Sequence, residues 1–426
     1  MVNLRSPVLY ASSLLKFVVT VSIMFPFVGI FPGVDTQPNF ILLGILLLLV
    51  LIGFVKLEKM HVLLFLFTLV ILYTHFLIFS PGGSLGYIIQ YTLTAMTAFV
   101  VYFLMRHGVL YSTSLFFWFV AVVYILVALI QVFIPDFLAF AVSRSESHIE
   151  LLKASGRGVR SLTGEPSHFG KMLIFLNILI IISYFKEDRT MNQFYMRALF
   201  IFAFFILCSA FFARSFYMLF YHIMLFSLFL LIFRFRHFVL FFVALFAGTV
   251  LLSGVVDRFT DIRIFYLLSV LYDNPQLLAE QGALRRALNI PASIIGGFIH
   301  TPYGFGNADA RYSISIDLLL FTYELSISNR LFGGVFEIFL KMGILGTPVL
   351  LLIFLPGVGI LMRNACSKTL ESKLSTYGVV CAFILVSADG SLANPVIWFF
   401  LFFIYKECSA VKAQSRSGYA FRNDYV

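Results

Sequence analysis

Basic residues are the ones whose types and spacing best suit chemistry on a phosphorylated substrate. Lys153, Arg157 and Arg160 fall within eight positions with no acid among them, and glycines flank Arg157 on both sides. Glycine lets the backbone turn tightly, and a guanidinium pairs strongly with phosphate oxygens. The segment therefore predicts an anion-binding loop. The alternative is that these charges only contact lipid headgroups.

The same segment runs into Glu165 and Pro166, where we expect a membrane helix to begin. Proline suits the first helical position, because its missing N–H has no partner to lose there. A helix start also presents free N–H groups and a positive dipole end, which favour an anionic ligand. Glu165 is thus a candidate general base at an anchored position. The alternative is that its charge only complements the helix dipole.

Arg214 is the most constrained of the candidate residues. About seventeen residues separate it from Arg197 and about nineteen from Arg234, so each stretch is roughly 25–30 Å of helix. No length remains for a loop, and the segment from Phe212 to Phe216 must turn at the outer membrane surface. A guanidinium held there is poorly solvated and needs an anionic partner. Snorkelling to a lipid phosphate is the structural alternative.

A second polar stretch supplies Arg285, Arg286 and His300. Asn274-Pro275 predicts the start of an amphipathic helix, with Arg285 at the edge of its apolar face and Arg286 pointing further away. His300 opens a turn-rich segment, His-Thr-Pro-Tyr-Gly-Phe-Gly. An imidazole there is a second candidate base, although an isolated histidine in a loop is more often only solvated.

The elements that must position these residues are membrane spans. Hydrophobic residues make up 61% of the 426 residues and charged residues 12%, and the mean hydropathy is +0.99; these values are typical of a polytopic membrane protein. We expect the last two apolar runs to form a bent or re-entrant pair, because they are short. The runs lie near residues 14–32, 40–55, 61–79, 87–105, 113–134, 167–185, 198–213, 216–233, 238–254, 344–362, 376–388 and 394–405.

Lys and Arg in the short loops predict the orientation of these spans. The short loops at 32–39 and 80–86 contain neither residue, whereas the alternate loops do, which places the basic loops and both termini in the cytoplasm. The first run reads as a retained anchor. We expect a single integral membrane domain over 1–426, with periplasmic loops at 136–165 and 255–330 and a basic cytoplasmic tail at 406–426. The inner basic residues are Lys56, Lys59, Arg106, Lys186, Arg189, Arg197, Arg234, Arg236, Arg363, Lys368, Lys373 and Lys406.

Composition argues against several other classes of protein. The four cysteines lie in spans or on the inner side, so no disulfide framework is predicted in the outer loops. No His or Cys pair has metal-ligand spacing, and we expect neither a metal nor another cofactor. The net charge of +10 comes mostly from the inner loops and indicates contact with anionic membrane lipid, not nucleic acid.

The order of these motifs resembles that of the bacterial O-antigen polymerase (Wzy) and O-antigen ligase superfamily. Arg285 with Gly296, and Arg286 with Gly297, also fit the Arg-x10-Gly spacing of polymerase outer loops. The earlier loop departs from that spacing, because Lys171 stands where a glycine would follow Arg160. The matching motifs are Arg157-Gly-x-Arg160 with Gly-Glu165-Pro166-Ser, Ala-x-x-Ala-Arg214-Ser, Pro302-Tyr-Gly-Phe-Gly306 and Gly343-Ile-Leu-Gly346.

The resemblance implies an all-α polytopic fold of the GT-C-like polymerase/ligase type, with about 11–12 transmembrane helices and the large outer loop between spans 9 and 10. It also implies a metal-independent glycosyltransferase of the bacterial inner membrane. Its substrate would be an oligosaccharide on undecaprenyl diphosphate, and a chain-length regulator is a further candidate partner. Arg157, Arg160, Arg214, Arg285 and Arg286 would contact the diphosphate, and Glu165 or His300 would act as the base.

One related function and two rival functions stay open. A ligase would carry a histidine near Phe332-Gly333, before Gly343 and Gly346, and its absence favours a polymerase. A flippase for lipid-linked saccharides would line its spans with polar residues, and the spans hold few, chiefly His75, Asn177 and His222. A purely structural protein would not require Arg214 in a turn without a loop.

Overall fold

The computed structural model describes residues 5–29, 69–70, 73, 85–142, 158–185, 191–256, 312–318, 321–327, 342–365, 367, 369–388 and 394–416. The described chain is mostly helical. The predicted spans at 40–55 and most of 61–79 lie outside it, as do residues 143–157 of the first polar loop and most of the second. The helices are α1 (Arg5–Met24), α2 (Leu85–Arg106), α3 (Ser114–Phe133), α4 (Pro166–Tyr184), α5 (Met191–Cys208), α6 (Phe216–Phe233), α7 (Phe235–Val256), α8 (Thr347–Asn364), α9 (Leu370–Ala388) and α10 (Pro395–Arg416).

Among the described residues, five helical segments are long and apolar enough to cross a membrane. They confirm the predicted spans near 113–134, 167–185, 198–213 and 344–362. Three shorter apolar stretches fall in α2, α6 and α7. The chain is therefore a mostly helical protein embedded in a membrane. The five segments are Ser114–Phe133, Pro166–Tyr184, Met191–Ala213, Thr347–Asn364 and Leu370–Ser387.

Two predicted boundaries were wrong. The first span was expected to reach residue 32, but α1 ends at Met24; Pro26 follows, and a proline disfavours helical geometry in the residue before it. The run at 376–388 was considered too short to span, yet α9 contains 19 residues from Leu370. Its polar first turn, which includes Glu371 and Lys373, hid its start from a search for apolar residues.

A two-stranded antiparallel hairpin lies within the second polar loop. Strand β1 (Tyr312–Leu318) pairs with β2 (Phe321–Ile327), from Tyr312 opposite Ile327 to Leu318 opposite Phe321. Apolar and polar residues alternate along β1, which is the period-two pattern of a strand. This hairpin was not predicted from the sequence.

Helix α4 lies at the centre of the helical bundle. It contacts α3, α5, α6, α9 and α10, and from Pro166 to Ser183 every residue is buried except Ser167, His168 and Lys171. Because a helix enclosed by five others has little freedom to shift, the first turn of α4 is a rigid platform for the segment that precedes it.

The termini of the helices form two groups, one at each end of the bundle. At one, which we call the Arg214 end, the amide of Gly29 after α1 donates to the carbonyl of Ala141 after α3 at 3.2 Å. At the other, the Arg234 end, Arg234 Nη2 donates to Asn192 Oδ1 at 2.9 Å. The basic-residue pattern predicts that the Arg234 end is cytoplasmic, and this stays a prediction.

Candidate functional site at the Arg214 end

The helix–helix turn at Arg214 is as short as the sequence predicts. Helix α5 continues as a π-helix from Ser209 to Ala213, and α6 begins at Phe216, so two residues connect them. π-helical turns are rare and are frequent at functional sites. They are also stable only when their surroundings support them. Here the segment that precedes α4, which carries Arg160, provides that support.

Arg214 itself adopts a left-handed backbone conformation, with φ 46° and ψ 34°. This conformation costs a residue with a Cβ about 1 kcal/mol relative to glycine. The amide of Arg214 donates to the carbonyl of Ser209 at 3.0 Å, and its Nε donates to the carbonyl of Phe211 at 3.3 Å. The side chain is exposed, so its terminal nitrogens can reach an anionic ligand.

The loop that carries Arg160 lies directly against this turn. The amide of Val159 donates to the carbonyl of Phe212 at 2.8 Å. A Cβ added to Gly158 would come within 2.0 Å of the Phe212 carbonyl oxygen and 2.6 Å of the Ala213 carbonyl carbon. Only glycine permits this approach of two backbones. The structure thus brings together two segments that the sequence analysis had identified separately.

Gln131 of α3 fixes the other side of the same loop. Its Oε1 accepts from the amide of Ser161 at 2.7 Å, and its Nε2 donates to the carbonyls of Ser161 at 3.1 Å and Phe137 at 3.0 Å. Ser161 has a positive φ of 53°, and its hydroxyl donates to the carbonyl of Tyr124 at 2.6 Å. Gln131 was not predicted as a site residue, although a glutamine in the last turn of an apolar span is a visible signal in the sequence.

Arg160 is buried between these contacts, with 5% of its surface exposed. A buried guanidinium is costly unless anionic or hydrogen-bonding groups surround it. The same low-dielectric surroundings strengthen its attraction for any anion that reaches it. Arg160 and Arg214 therefore provide one buried and one exposed cation on adjoining segments.

Glu165 precedes the first turn of α4 in an extended conformation, and Pro166 is the first helical residue, as predicted. Its side chain makes no hydrogen bond that caps the helix. Instead, its Oε2 accepts from the hydroxyl of Ser167 at 3.1 Å. The carboxylate is partly exposed. It therefore lies where a substrate hydroxyl could approach it.

Two further side chains share this region. His168 and Lys171 are two of the few partly exposed residues on a helix that is buried over most of its length, and the His168 ring packs edge-on against Phe27, with 5.1 Å between ring centroids. Neither residue was predicted from the sequence as a site residue. The signal that could have identified His168 and Lys171 is their spacing of three, which places both residues on one helix face.

Two of the three polar residues named inside the spans, Asn177 and His222, form a pair, and the third, His75, lies outside the described residues. Asn177 Nδ2 lies 3.4 Å from His222 Nδ1, and the two side chains are 1% and 0% exposed. Among the described residues, Asn177 Oδ1 and His222 Nε2 have no hydrogen-bond partner. This pair is sealed inside the bundle and opens onto no surface.

Four of the predicted site residues, Arg157, Arg285, Arg286 and His300, lie outside the described residues. Within the described ranges, no group of three or more His, Cys, Asp or Glu side chains could hold a metal ion. Fold and site together define a mostly helical membrane protein with an arginine-bearing turn joined to a second basic loop. Comparison with known proteins gave no match among family models, curated proteins or solved structures.

Proposed function

We propose that this chain is a polysaccharide repeat-unit polymerase of the bacterial inner membrane. It transfers a growing glycan from undecaprenyl diphosphate onto a lipid-linked repeat unit at the periplasmic face, on a GT-C-like fold with about 11–12 spans. The observation that carries the proposal is the hydrogen bond from Val159 to Phe212. It joins the loop of Arg160 to the turn of Arg214, and this closeness of two cationic segments supports the proposal that both contact one diphosphate.

The proposed reaction is a displacement at the anomeric carbon of the donor sugar. A hydroxyl of the acceptor forms the new glycosidic bond, the bond from that carbon to the phosphate oxygen breaks, and the electron pair leaves with the lipid diphosphate. Arg160 and Arg214 stabilise the charge that develops on the leaving group, and Arg157, Arg285 and Arg286 are proposed to add to that field. The acceptor proton goes to a general base.

Glu165 is the proposed base, and His300 is the alternative. The 3.1 Å hydrogen bond from Ser167 orients the Glu165 carboxylate, and the residue is partly exposed, so a substrate hydroxyl could approach it. The rigid first turn of α4 holds this carboxylate in position, and positioning of this kind is what proton transfer in a transition state requires.

A flippase is the main rival function, and the Asn177–His222 pair weighs against it. Transport needs polar groups that line a path through the spans, whereas these two side chains are 1% and 0% exposed. The basic and acidic groups of the candidate site lie instead at one end of the bundle. This distribution favours chemistry at a membrane surface.

The class of activity can be tested with the purified full chain in proteoliposomes. The substrate is a synthetic repeat unit on undecaprenyl diphosphate, supplied to both membrane faces so that no flipping is needed. A polymerase converts single units into lipid-linked chains of many units, which gel electrophoresis and mass spectrometry resolve. Product that stays as single units would reject the proposal, and transfer that occurs only onto added lipid A-core would identify a ligase.

A further inference from the structure

Arg234 forms the one-residue connection between α6 and α7, at the Arg234 end of the bundle. Two contacts hold its guanidinium against α5. Nη2 donates to Asn192 Oδ1 at 2.9 Å, and Cζ lies 5.5 Å from the centroid of the Tyr195 ring, within the range of a cation–π interaction. Asn192 and Tyr195 are three residues apart and so are neighbours on one helix face. The guanidinium is therefore fixed over the first turns of α5.

His237 of α7 holds Tyr195 in turn. The Tyr195 hydroxyl lies 2.9 Å from His237 Nδ1, and the two rings stack with 5.7 Å between their centroids. Tyr195 is buried, whereas His237 is exposed. We call Asn192, Tyr195, Arg234 and His237 the Arg234 cluster. It ties the start of α5 to the corner between α6 and α7.

Most hydrogen-bond donors of Arg234 remain available to a ligand. A guanidinium carries five N–H donors, and one of them is used by Asn192. Within the part of the chain that the structure describes, Nε and Nη1 have no acceptor and no carboxylate pairs with Arg234. The side chain is exposed. A preoriented guanidinium of this kind suits bidentate binding of a phosphate group.

An exposed apolar stripe on α5 leads away from the cluster. At about 100° per residue, Met196, Phe200 and Leu207 lie about 40°, 80° and 60° around the helix from Asn192. Their side chains are 64%, 68% and 55% exposed, on a segment long and apolar enough to cross a membrane. The stripe extends over fifteen residues, about 22 Å along the helix axis. Arg234 thus lies at the polar end of a surface that fits acyl chains.

We infer that the Arg234 cluster binds the phosphate of an anionic phospholipid, whose acyl chains lie along the stripe of Met196, Phe200 and Leu207. This site is at the opposite end of the bundle from Arg214, and the inference does not rest on the proposed function. The exposed Arg236 beside the cluster adds a second positive charge. A net negative headgroup is therefore favoured over a zwitterionic one, whose own ammonium group opposes these charges.

The bound lipid has a structural consequence for the candidate site. Helices α5 and α6 are the pair that the Arg214 turn joins at the other end of the bundle. A phospholipid that contacts both Arg234 and the α5 stripe holds the start of α5 against the end of α6. Because a ligand that binds only the folded state stabilises it, we expect phosphatidylglycerol to raise the unfolding temperature of the chain.

The test titrates the full chain in detergent with phosphatidylglycerol and measures bound lipid by native mass spectrometry. Arg234→Gln should weaken the tightest site about tenfold, and Arg234→Lys, which keeps the charge without the planar fork, should weaken it less. Asn192→Leu removes the side chain that orients the guanidinium and should weaken the site about threefold. Arg363→Gln is the matched control, because Arg363 is exposed in the last turn of α8 and is predicted to lie on the same side of the membrane.

The lipid identity is tested with three competing probes. Phosphatidylcholine and millimolar inorganic phosphate should not displace phosphatidylglycerol, and undecaprenyl diphosphate should bind this site no more tightly. Displacement by either of the first two, or tighter binding of undecaprenyl diphosphate that Arg234→Gln abolishes, would overturn the inference. Equal weakening by Arg363→Gln would also overturn it, since that result would indicate diffuse attraction to positive charge. Unfolding temperatures without lipid report whether each variant is folded; if Arg234→Gln is not, Asn192→Leu and Arg234→Lys decide the question.

Discussion

The amide of Val159 donates a hydrogen bond to the carbonyl of Phe212 at 2.8 Å. This contact spans about fifty positions of sequence and joins the loop before α4 to the turn after α5. Because Arg160 and Arg214 lie one and two residues from its ends, their spacing depends on it. Backbone contact therefore helps to set the geometry of the candidate site.

Replacing Gly158 tests that backbone contact. Gly158→Ala puts a Cβ within 2.0 Å of the Phe212 carbonyl oxygen, and the backbones must separate, at a cost of about 1–3 kcal/mol. We expect a lower unfolding temperature in detergent and shorter glycan products. Gly359→Ala is the matched control, because a Cβ there meets nothing within 4 Å. Equal behaviour of the two variants would show that the contact does not matter.

Gln131 should be required for the position of Arg160. Gln131→Leu leaves the amide and carbonyl of Ser161 without the side-chain partners they have now, and each such buried group costs about 1–3 kcal/mol. We predict a strong loss of glycan transfer together with faster hydrogen exchange in residues 158–164. Gln193→Leu, at an exposed position on α5, should change neither quantity. Normal exchange in the Gln131 variant would argue against this positioning role.

Glu165→Gln should lower kcat for glycan transfer by about 10²–10⁴-fold, which is the usual contribution of a general base. The amide keeps a hydrogen-bonding oxygen for Ser167, so the unfolding temperature should be unchanged. Ser167→Ala, which removes only the orienting hydroxyl, should have a smaller effect. Full activity of the Glu165 variant would transfer the role of base to His300.

The Asn177–His222 pair should affect stability and not transfer. Asn177→Leu leaves a buried imidazole without its 3.4 Å contact, at a cost of about 1–3 kcal/mol. The double variant Asn177→Leu/His222→Leu removes both polar groups, and we expect its stability to recover to near the wild-type level. Glycan transfer by the double variant should persist. Its loss would support a role for the pair in a path through the bundle.

Much of this architecture follows from sequence because the membrane restricts the choice. Backbone groups inside a bilayer must be paired within a helix, so the lengths of apolar runs predicted most of the helices and the two-residue turn at Arg214. The start of α9 was missed, since its first turn is polar. The hairpin of β1 and β2 was missed because no membrane constraint acts on a long polar loop.

The site was only partly predictable for a different reason. Arg160, Glu165 and Arg214 could be identified from residue type and position. The contact between Gly158 and Phe212, the role of Gln131 and the partial exposure of Lys171 depend on how helices pack sideways. Spacing along one helix does not encode that packing, so these features became visible only in three dimensions.

Arg214→Gly is the most direct test of the account. Glycine suits the φ of 46° at this position, so the turn should persist, with an unfolding temperature at or above that of the wild type, while the guanidinium is lost. We predict that glycan transfer in proteoliposomes falls by at least about a hundredfold, whereas Arg236→Ala, an exposed arginine at the Arg234 end, keeps wild-type activity. Polymer of normal length and yield from a folded Arg214→Gly variant would contradict the central claim that this guanidinium binds the departing diphosphate.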